Sequence, residues 1–269
     1  MALSPLLDHY DHVLLDLDGC VWVGERATQG APEAIGELRA GGKSLAFLTN
    51  DPRRSPEEYV QKLWKVGIRA SLEEVVTVGA AIQHLLAQFR PHTETYVIGA
   101  PAIFRHVGEA GMRIVNHTPR AAHAEIVVIA GHDDLKFAEL SAATQAVLRG
   151  ADMIAAGRDR TFPREDGLWP GTGAIVAALE YATDQQARVV GKPRPQMFRT
   201  ALDRLGAGNA LVVGDRLDSD LAGAAAAGLD GAIVLSGVTS REQAEAASDP
   251  EPVAIADTLH SLVTVHETR

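Results

Sequence analysis

The order of apolar and amphipathic stretches constrains the fold most. HVLLDLDG at 12–19 predicts a strand, APEAIGELRAGG at 31–42 a helix ending on glycine, and SLAFLTN at 44–50 a second strand. Strands that alternate with helices are typical of a parallel sheet with helices on both faces. The sequence therefore predicts an α/β fold built on a doubly wound, Rossmann-like parallel sheet.

The middle of the chain repeats this alternation as a separate unit. The alternation restarts near Pro91 with TETYVIGA and is followed by a stretch rich in glycine and proline, FPREDGLWPGTGA. From ARVVGKP onward, the pattern of strands and helices again resembles that of the first part of the chain. About 100 residues is an ordinary size for a small domain. We predict a core formed by residues 1–80 and 187–269, with a smaller α/β domain, residues 81–186, inserted between them.

Composition limits the classes of partner. The formal net charge of −10 gives no basic footprint for nucleic acid or an anionic membrane. The single cysteine, Cys20, allows no internal disulfide and no zinc site with several thiolate ligands. Neither a run of about 18 apolar residues nor a basic secretory leader is found. We expect a cytoplasmic protein with no nucleic-acid or membrane partner.

Polar residues follow four of the predicted strands. Asp16 stands where VLL ends, and Gly19 permits a turn that would bring Asp18 to the same side. Two acids alone are more often a solvated loop, but ligands of open α/β sheets bind beyond the carboxyl ends of the strands. The other three strand ends carry Thr49 with Asn50, Lys192, and Asp215 through Asp220. We therefore expect these groups to converge on one rim.

The residue types at this rim favour a metal and a phosphate. Carboxylates close together repel one another unless they share a cation, and oxygen ligands without histidine or thiolate suit Mg²⁺. Thr49, Asn50 and Lys192 supply donors for an anion, and phosphate suits such a set. An aspartate can attack as a nucleophile while a second carboxyl carries protons. The predicted chemistry is phosphate transfer through an aspartyl-phosphate.

Four segments now carry a family resemblance. DLDGCVW, FLTN, GKP and GDRLDSD resemble, in order and spacing, the four motifs of haloacid dehalogenase superfamily phosphatases. The chain is most similar to the branch with a large α/β cap between the second and third motifs, which includes nitrophenyl, phosphoglycolate and glycerol phosphate phosphatases and a nucleotide monophosphatase. The resemblance extends over nearly the whole chain, including TFPREDGLWPGTGA. Four motifs in order are far more specific than any one.

The resemblance implies roles for the acids. Asp16 would be the nucleophile and a Mg²⁺ ligand, and Asp18 would be the general acid and base and bind the metal through its backbone carbonyl. Asp215 would complete the protein ligands. Asp220 would hold a metal-bound water or orient Lys192. An equal alternative is that Asp220 is only structural and stabilises the start of the following helix through its negative charge.

The resemblance also implies the phosphate-binding groups. Thr49 would hold the phosphoryl group through its hydroxyl and Asn50 through its backbone N–H, while Lys192 would neutralise the charge shared with Asp16. The branch usually has a second asparagine where this chain has Asp51. An acid there would weaken anion binding unless it turned outward or paired with a neighbouring arginine.

The predicted cap differs from the pattern of its relatives. AGHDDLKF stands where relatives often read like GLDRDFTY, and AAGRDR replaces a run similar to ATNPD. Substrate choice in the branch is attributed to the cap, so His132, Asp133 and Arg158 are candidate substrate contacts. His132 could instead face solvent. These differences argue against transferring the substrate of any one relative.

The sequence leaves one main prediction of function and two alternatives. The main prediction is a Mg²⁺-dependent hydrolase of a small phosphorylated metabolite. A non-catalytic protein that kept the fold and binds such metabolites is the first alternative, since fold alone does not give function. A phosphotransferase or mutase is the second, although mutases of this superfamily carry a small helical cap at a different point. Relatives commonly form homodimers through the cap, so the resemblance also suggests that assembly.

Overall fold

The computed structural model describes residues 2–164 and 167–265, so Glu165 and Asp166 of the predicted cap-to-core return lie outside the described residues. The contacts divide the chain into two compact units. The first contains Met1–Thr49, Pro56–Val76 and Lys192–Arg269, and the second contains Asn50–Ser55 and Thr77–Gly191. Among the described residues, no helix combines the length and apolar character needed to cross a membrane.

The strands and helices are numbered along the chain. The strands are β1 (Ala2–Leu3), β2 (His12–Asp16), β3 (Trp22–Val23), β4 (Arg26–Ala27), β5 (Ser44–Thr49), β6 (Val75–Thr77), β7 (Glu94–Gly99), β8 (Arg113–Ile114), β9 (Ile126–Gly131), β10 (Asp152–Ala155), β11 (Thr161–Arg164), β12 (Gly167–Pro170), β13 (Arg188–Val189), β14 (Ala210–Gly214), β15 (Asp230–Val234), β16 (Ala254–Ala256) and β17 (Thr264–Val265). The helices are α1 (Ala31–Ala40), α2 (Pro56–Lys65), α3 (Val78–Leu86), α4 (Pro101–Glu109), α5 (Phe137–Leu148), α6 (Thr172–Thr183), α7 (Gln196–Leu205), α8 (Ala222–Ala227), α9 (Arg241–Ala246) and α10 (Leu259–Val263). Short 3₁₀ turns cover Pro5–His9 and Ala121–His123, and a single π-helical turn covers Leu217–Leu221.

A six-stranded sheet forms the centre of the first unit, in the order β16-β15-β14-β2-β5-β6. The pairs from β16 through β5 are parallel. From β2 the chain builds the sheet outward through β5 and β6, and later fills the other side through β14, β15 and β16. The order therefore reverses between β2 and β14, which is the point where ligands bind in open α/β sheets.

Helix α1 shows why the flanking helices form where they do. Pro32 occupies the first turn, where its missing N–H costs nothing, and the helix buries Ala31, Ala34, Ile35 and Leu38. This spacing forms one apolar stripe along the helix. The stripe belongs to the same buried cluster as Val13 and Leu15 of β2. Strand β2 is buried along its whole length, as expected for a central parallel strand.

The second unit is a smaller α/β layer with its own core. Its five strands lie in the order β13-β10-β9-β7-β8, and the adjacent pairs are parallel. Residues of α5 and α6 pack with β7, β9 and β10 in one buried cluster. The predicted fold class, a doubly wound parallel-sheet core with a further α/β unit, is confirmed.

Two details differ from the sequence predictions. The boundaries of the compact units fall at 76/77 and 191/192, whereas the predicted ones fell at 80/81 and 186/187. The second shift arises because β13 pairs with β10 and so extends the sheet of the second unit. The glycine- and proline-rich stretch also contains an antiparallel hairpin, β11 with β12, that proline and glycine content did not predict.

Candidate active site

Neighbouring strands place the first and fourth motifs side by side. Leu15 of β2 pairs in register with Val213 of β14, so Asp16 ends its strand level with Gly214, and Asp215 follows one residue later. On the other side, Asp16 is level with Leu48 of β5, so Thr49 lies one residue beyond it. Asp16, Thr49 and Asp215 are all buried. The switch point of the sheet therefore gathers two carboxylates and a hydroxyl.

Lys192 brings a buried positive charge to this cluster. The residue is 4 % exposed, and its ammonium donates hydrogen bonds to Oδ1 of Asp16 and, at 2.7 Å, to Oδ1 of Asp220. Burial acts to lower the pKa of Lys192, but the attraction of Asp16 and Asp220 outweighs it and raises that pKa above its usual value. Lys192 is therefore held protonated between two aspartates.

The π-helical turn after β14 places Asp220. The N–H of Leu221 reaches back five residues to the carbonyl of Arg216, at 3.2 Å, which widens the turn. The backbone N–H of Arg216 donates to Oδ2 of Asp220 at 3.1 Å, while Oδ1 accepts from Lys192. Both carboxylate oxygens are thus engaged, and Asp220 holds the lysine in place.

Asp215 is enclosed closely by backbone. A Cβ added at Gly19 or at Gly237 would overlap its carboxylate, so only glycine fits at either position. The backbone N–H of Val238 donates to Oδ2 of Asp215 at 2.7 Å. Oδ1 of Asp215 is buried and has no hydrogen-bond partner among the described residues. A buried carboxylate oxygen without a partner is costly, and a cation would satisfy it.

The charges of the cluster favour a divalent cation. Asp16, Asp215 and Asp220 each offer an oxygen within 4.8 Å of the others. Burial, and then repulsion by Asp220, raise the pKa of Asp215 to about 7. Burial also raises the pKa of Asp16 well above its usual value, although Lys192 opposes the shift. Three carboxylates face one ammonium, so a cation bound by oxygen ligands fits the site.

Asp18 lies in a tight turn just beyond β2. Gly19 adopts a left-handed φ of 94°, which favours glycine. The turn closes because the N–H of Gly19 donates to the carbonyl of Trp22 at 2.7 Å. Oδ1 of Asp18 accepts a hydrogen bond from the indole N–H of Trp22 at 2.8 Å. The second aspartate therefore has a fixed side-chain donor.

Asn50 and Asp51 belong to the second unit by their contacts. The side-chain oxygen of Asn50 lies so close to Gly191 that a Cβ there would clash with it. Both carboxylate oxygens of Asp51 accept from the guanidinium of Arg53, at 2.7 and 3.0 Å. The acid that replaces the usual asparagine is thus paired with a neighbouring arginine, one of the two arrangements that would limit its effect on an anion.

The three candidate substrate residues follow two strands of the second unit, with His132 and Asp133 after β9 and Arg158 after β10. His132 follows β9, and its Nε2 lies 3.2 Å from Oε1 of Glu139. Asp133 is exposed in the next position. Arg158 follows β10, and its guanidinium forms an ion pair with Glu180 on α6. His132 and Arg158 are therefore both held by acids of their own unit.

Sequence reasoning missed three parts of the site. Trp22 lies within the first motif, but the motif alone gave it no role in the site. Ser236, whose hydroxyl donates to the carbonyl of Gly19 at 2.6 Å, and Gly237 follow β15. The sequence contains a signal for Ser236 and Gly237, because GAIV is a fifth apolar strand and the polar residue Ser236 follows it closely, as at the other four strand ends.

Comparison with known proteins identifies the family. Residues 13–113 match the haloacid dehalogenase-like hydrolases and residues 189–262 match a HAD-hydrolase-like family. D-glycerol 3-phosphate phosphatase from Mycobacterium tuberculosis is 37 % identical over 98 % of this chain and 73 % of its own length. Chronophin from Bos taurus is 35 % identical over 91 % of this chain and 88 % of its own. The chain belongs to the haloacid dehalogenase-like hydrolases.

Solved structures agree with this assignment. The glycerol phosphate phosphatase of M. tuberculosis, solved with magnesium, matches with a TM-score of 0.87 at 36 % identity, over 97 % of this chain and 79 % of that one. A p-nitrophenyl phosphatase from Archaeoglobus fulgidus matches with a TM-score of 0.85 at 30 % identity, over 94 % and 98 %. The predictions of this family and of a phosphatase are confirmed.

Proposed function

We propose that this protein is a Mg²⁺-dependent hydrolase of small phosphate monoesters that works through a phosphorylated Asp16. The observation that carries the proposal is the buried cluster of Asp16, Lys192, Asp215 and Asp220, in which one carboxylate oxygen has no partner among the described residues. Such a cluster costs folding free energy, and it is useful where phosphate and a metal are bound.

The family resemblance implies the metal ligands. Asp16, Asp215 and the backbone carbonyl of Asp18 would hold Mg²⁺, which when bound supplies positive charge to the phosphoryl oxygens. The magnesium in the M. tuberculosis phosphatase supports the choice of ion. The hydroxyl of Thr49, the backbone N–H of Asn50 and the ammonium of Lys192 would bind the phosphoryl oxygens.

The residues of the chain then divide the reaction into two steps. In the first, a carboxylate oxygen of Asp16 attacks phosphorus, the ester P–O bond breaks, and the leaving oxygen takes the proton of the Asp18 carboxyl. In the second, the Asp18 carboxylate removes a proton from water, whose oxygen attacks the same phosphorus. The bond to Asp16 breaks, and inorganic phosphate leaves. Lys192, oriented by Asp220, balances negative charge in both steps.

The substrate class follows from the relatives. Their names include D-glycerol 3-phosphate phosphatase and, from Staphylococcus aureus at 31 % identity, acid sugar phosphatase. We propose that the substrate is a phosphorylated polyol or sugar of similar size, with the second unit as the candidate cap domain that the resemblance implies. Of the candidate substrate contacts in this unit, His132 and Arg158 pair with acids, and Asp133 is exposed.

Assembly through the second unit is part of the proposal. Three large apolar side chains of its helices α5 and α6 are exposed, namely Phe137, Leu148 and Tyr181, the last by 94 %. Exposed apolar groups of this size favour association. We expect a homodimer by light scattering, and a monomer for Tyr181→Lys with Phe137→Lys. A native protein that is monomeric at high concentration would contradict this part.

The test of the activity is phosphate release from nitrophenyl phosphate, glycerol phosphate and sugar phosphates, with and without Mg²⁺. We expect turnover that requires Mg²⁺ and is lost in Asp16→Asn. Asp8→Asn, the same change at an exposed acid of the same unit, should be unaffected. A folded native protein that binds these esters without hydrolysing them would favour the binding-only alternative.

A further inference from the structure

We propose that Trp22 is a positioning residue for the proton transfer, because its indole N–H fixes the carboxylate of Asp18 and helix α2 in turn fixes the indole. The inference rests on the proposed function, in which Asp18 protonates the leaving group. It assigns a role to a side chain that neither binds the metal nor contacts the phosphoryl group in the proposed mechanism.

The hydrogen bonds of Trp22 close the turn that carries Asp18. Its indole N–H donates to Oδ1 of Asp18 at 2.8 Å, its backbone N–H donates to the carbonyl of Leu17 at 3.1 Å, and its carbonyl accepts from Gly19 at 2.7 Å. The side chain of Trp22 is fully buried. One residue therefore holds both the backbone of the turn and the carboxylate within it.

Helix α2 holds the indole ring through two side chains. The ring of Tyr59 stacks on that of Trp22, with centroids 6.3 Å apart and planes 3° from parallel. The ammonium of Lys62 lies 4.2 Å from the centroid of the Trp22 ring and donates to the carbonyl of Gly24 at 2.7 Å. Tyr59 and Lys62 are three residues apart, so they share one face of the helix. The indole is thus fixed by stacking and by a buried cation.

A fixed donor matters because an aspartate carboxylate rotates easily. Its terminal torsion has a broad, two-fold preference, so packing alone orients it poorly. An N–H bound to Oδ1 selects one orientation and favours the other oxygen as the carrier of the transferred proton. The Lys62 ammonium over the ring should strengthen the hydrogen bond from the indole N–H to Asp18, because neighbouring polar groups polarise one another where water is excluded.

The choice of leaving group gives a test that a merely structural role would not pass. An alkoxide leaves poorly without a proton, whereas nitrophenolate leaves well without one. The quantity kcat/KM covers the steps up to departure of the leaving group, so a badly oriented acid should lower it for alkyl esters selectively. A general loss of folding or of metal would lower kcat/KM for both esters alike.

The central experiment replaces Trp22 with benzothienylalanine, which keeps the shape of the ring but has sulfur in place of N–H. We expect kcat/KM for glycerol phosphate to fall about 10- to 30-fold, part of the effect of a general acid, and kcat/KM for nitrophenyl phosphate to change less than about 2-fold. Trp22→Phe should show the same selectivity if it folds. Equal losses for the two esters, or no loss, would overturn the inference.

Two further variants serve as controls. Trp64→Phe also removes an indole hydrogen bond, to the carbonyl of Ala70 at 2.9 Å, but from a ring that is 64 % exposed, and it should leave both esters unaffected. Lys62→Met should give a smaller selective loss, about 3-fold, since cation–π contacts are weak. A selective loss in Trp64→Phe would contradict the assignment to Trp22.

Failure of the inference is distinguishable from failure of the proposed function. If the native protein hydrolyses both esters and Asp16→Asn hydrolyses neither, the proposed function stands and the Trp22 variants decide the inference. If Asp16→Asn retains turnover, or if the native protein hydrolyses neither ester, the proposed function is wrong and the role of Trp22 falls with it.

Discussion

The charged cluster at the site in the first unit differs from two ion pairs of the second unit in burial and in balance of charge. In the first unit Lys192 and Asp220 are almost completely buried, and a cluster of three carboxylates contains one ammonium, which donates to two of them. In the second unit Arg120 pairs with Glu94 and Arg158 with Glu180, and each pair has an exposed arginine. Burying charge is costly and exposed pairs contribute little. The unbalanced, buried charges therefore mark the site, whereas the balanced, exposed ones do not.

The largest expected effect is that of removing the buried cation. Lys192→Met leaves Asp16 and Asp220 facing each other without compensation, so we expect turnover to fall by at least about 10²-fold and the free energy of unfolding by about 3 to 5 kcal/mol. Urea unfolding and phosphate release measure the two quantities.

Arg158→Met is the matched change in the second unit. It breaks a partly exposed pair, so its cost in unfolding free energy should be under about 1 kcal/mol. Equal costs for the two variants would break the comparison between buried and exposed charge.

Magnesium should stabilise the native protein through Asp215. With Mg²⁺ at about 100 times its Kd, linkage raises the free energy of unfolding by about 2.7 kcal/mol. In Asp215→Asn this gain should disappear, because the negative charge is lost and one of the two carboxylate oxygens becomes an amide nitrogen. Calorimetry of both proteins, with and without Mg²⁺, measures the gain. An undiminished gain in Asp215→Asn would place the ion elsewhere.

A smaller effect is expected from the backbone around Asp215. Gly237→Ala puts a Cβ where the carboxylate lies, so we expect Mg²⁺ affinity to weaken about 10-fold, as for other changes around metal ligands. Gly36→Ala, inside helix α1, meets no atom within 4 Å and should instead stabilise the protein by up to about 1 kcal/mol. Titration calorimetry measures the affinity, and unchanged binding in Gly237→Ala would show that the enclosure is unimportant.

Another small effect concerns a hydrogen bond of the first unit that lies away from the site. Tyr10 donates to Asp230 at 2.7 Å, so Tyr10→Phe should cost about 1 kcal/mol. Burial and Asp230 raise the pKa of Tyr10 from 10 to about 12. The folded state therefore holds the phenolic proton more tightly, and its contribution is complete below pH 10 and lost as pH rises towards 12. Alkaline unfolding that is identical in Tyr10→Phe would contradict this.

The sequence predicted the first unit better than the second for a physical reason. In a parallel sheet, strand ends must meet at one edge, so the positions of Asp16, Thr49 and Asp215 follow from finding β2, β5 and β14. The partner of Trp22 depends on how α2 docks, which no periodicity reveals. The 191/192 boundary depended on which of two sheets accepts β13, and a two-residue strand carries no such information.

The measurement that tests the central claim most directly is chemical trapping of the phosphorylated protein during turnover. Rapid quenching followed by borohydride reduction converts an aspartyl-phosphate to homoserine, which mass spectrometry can locate in the tryptic peptide ending at Arg26. We predict homoserine at position 16 in the native protein and none in Asp16→Asn. Mg²⁺-dependent phosphate release with no modified Asp16, or with the modification at another residue, would contradict the account.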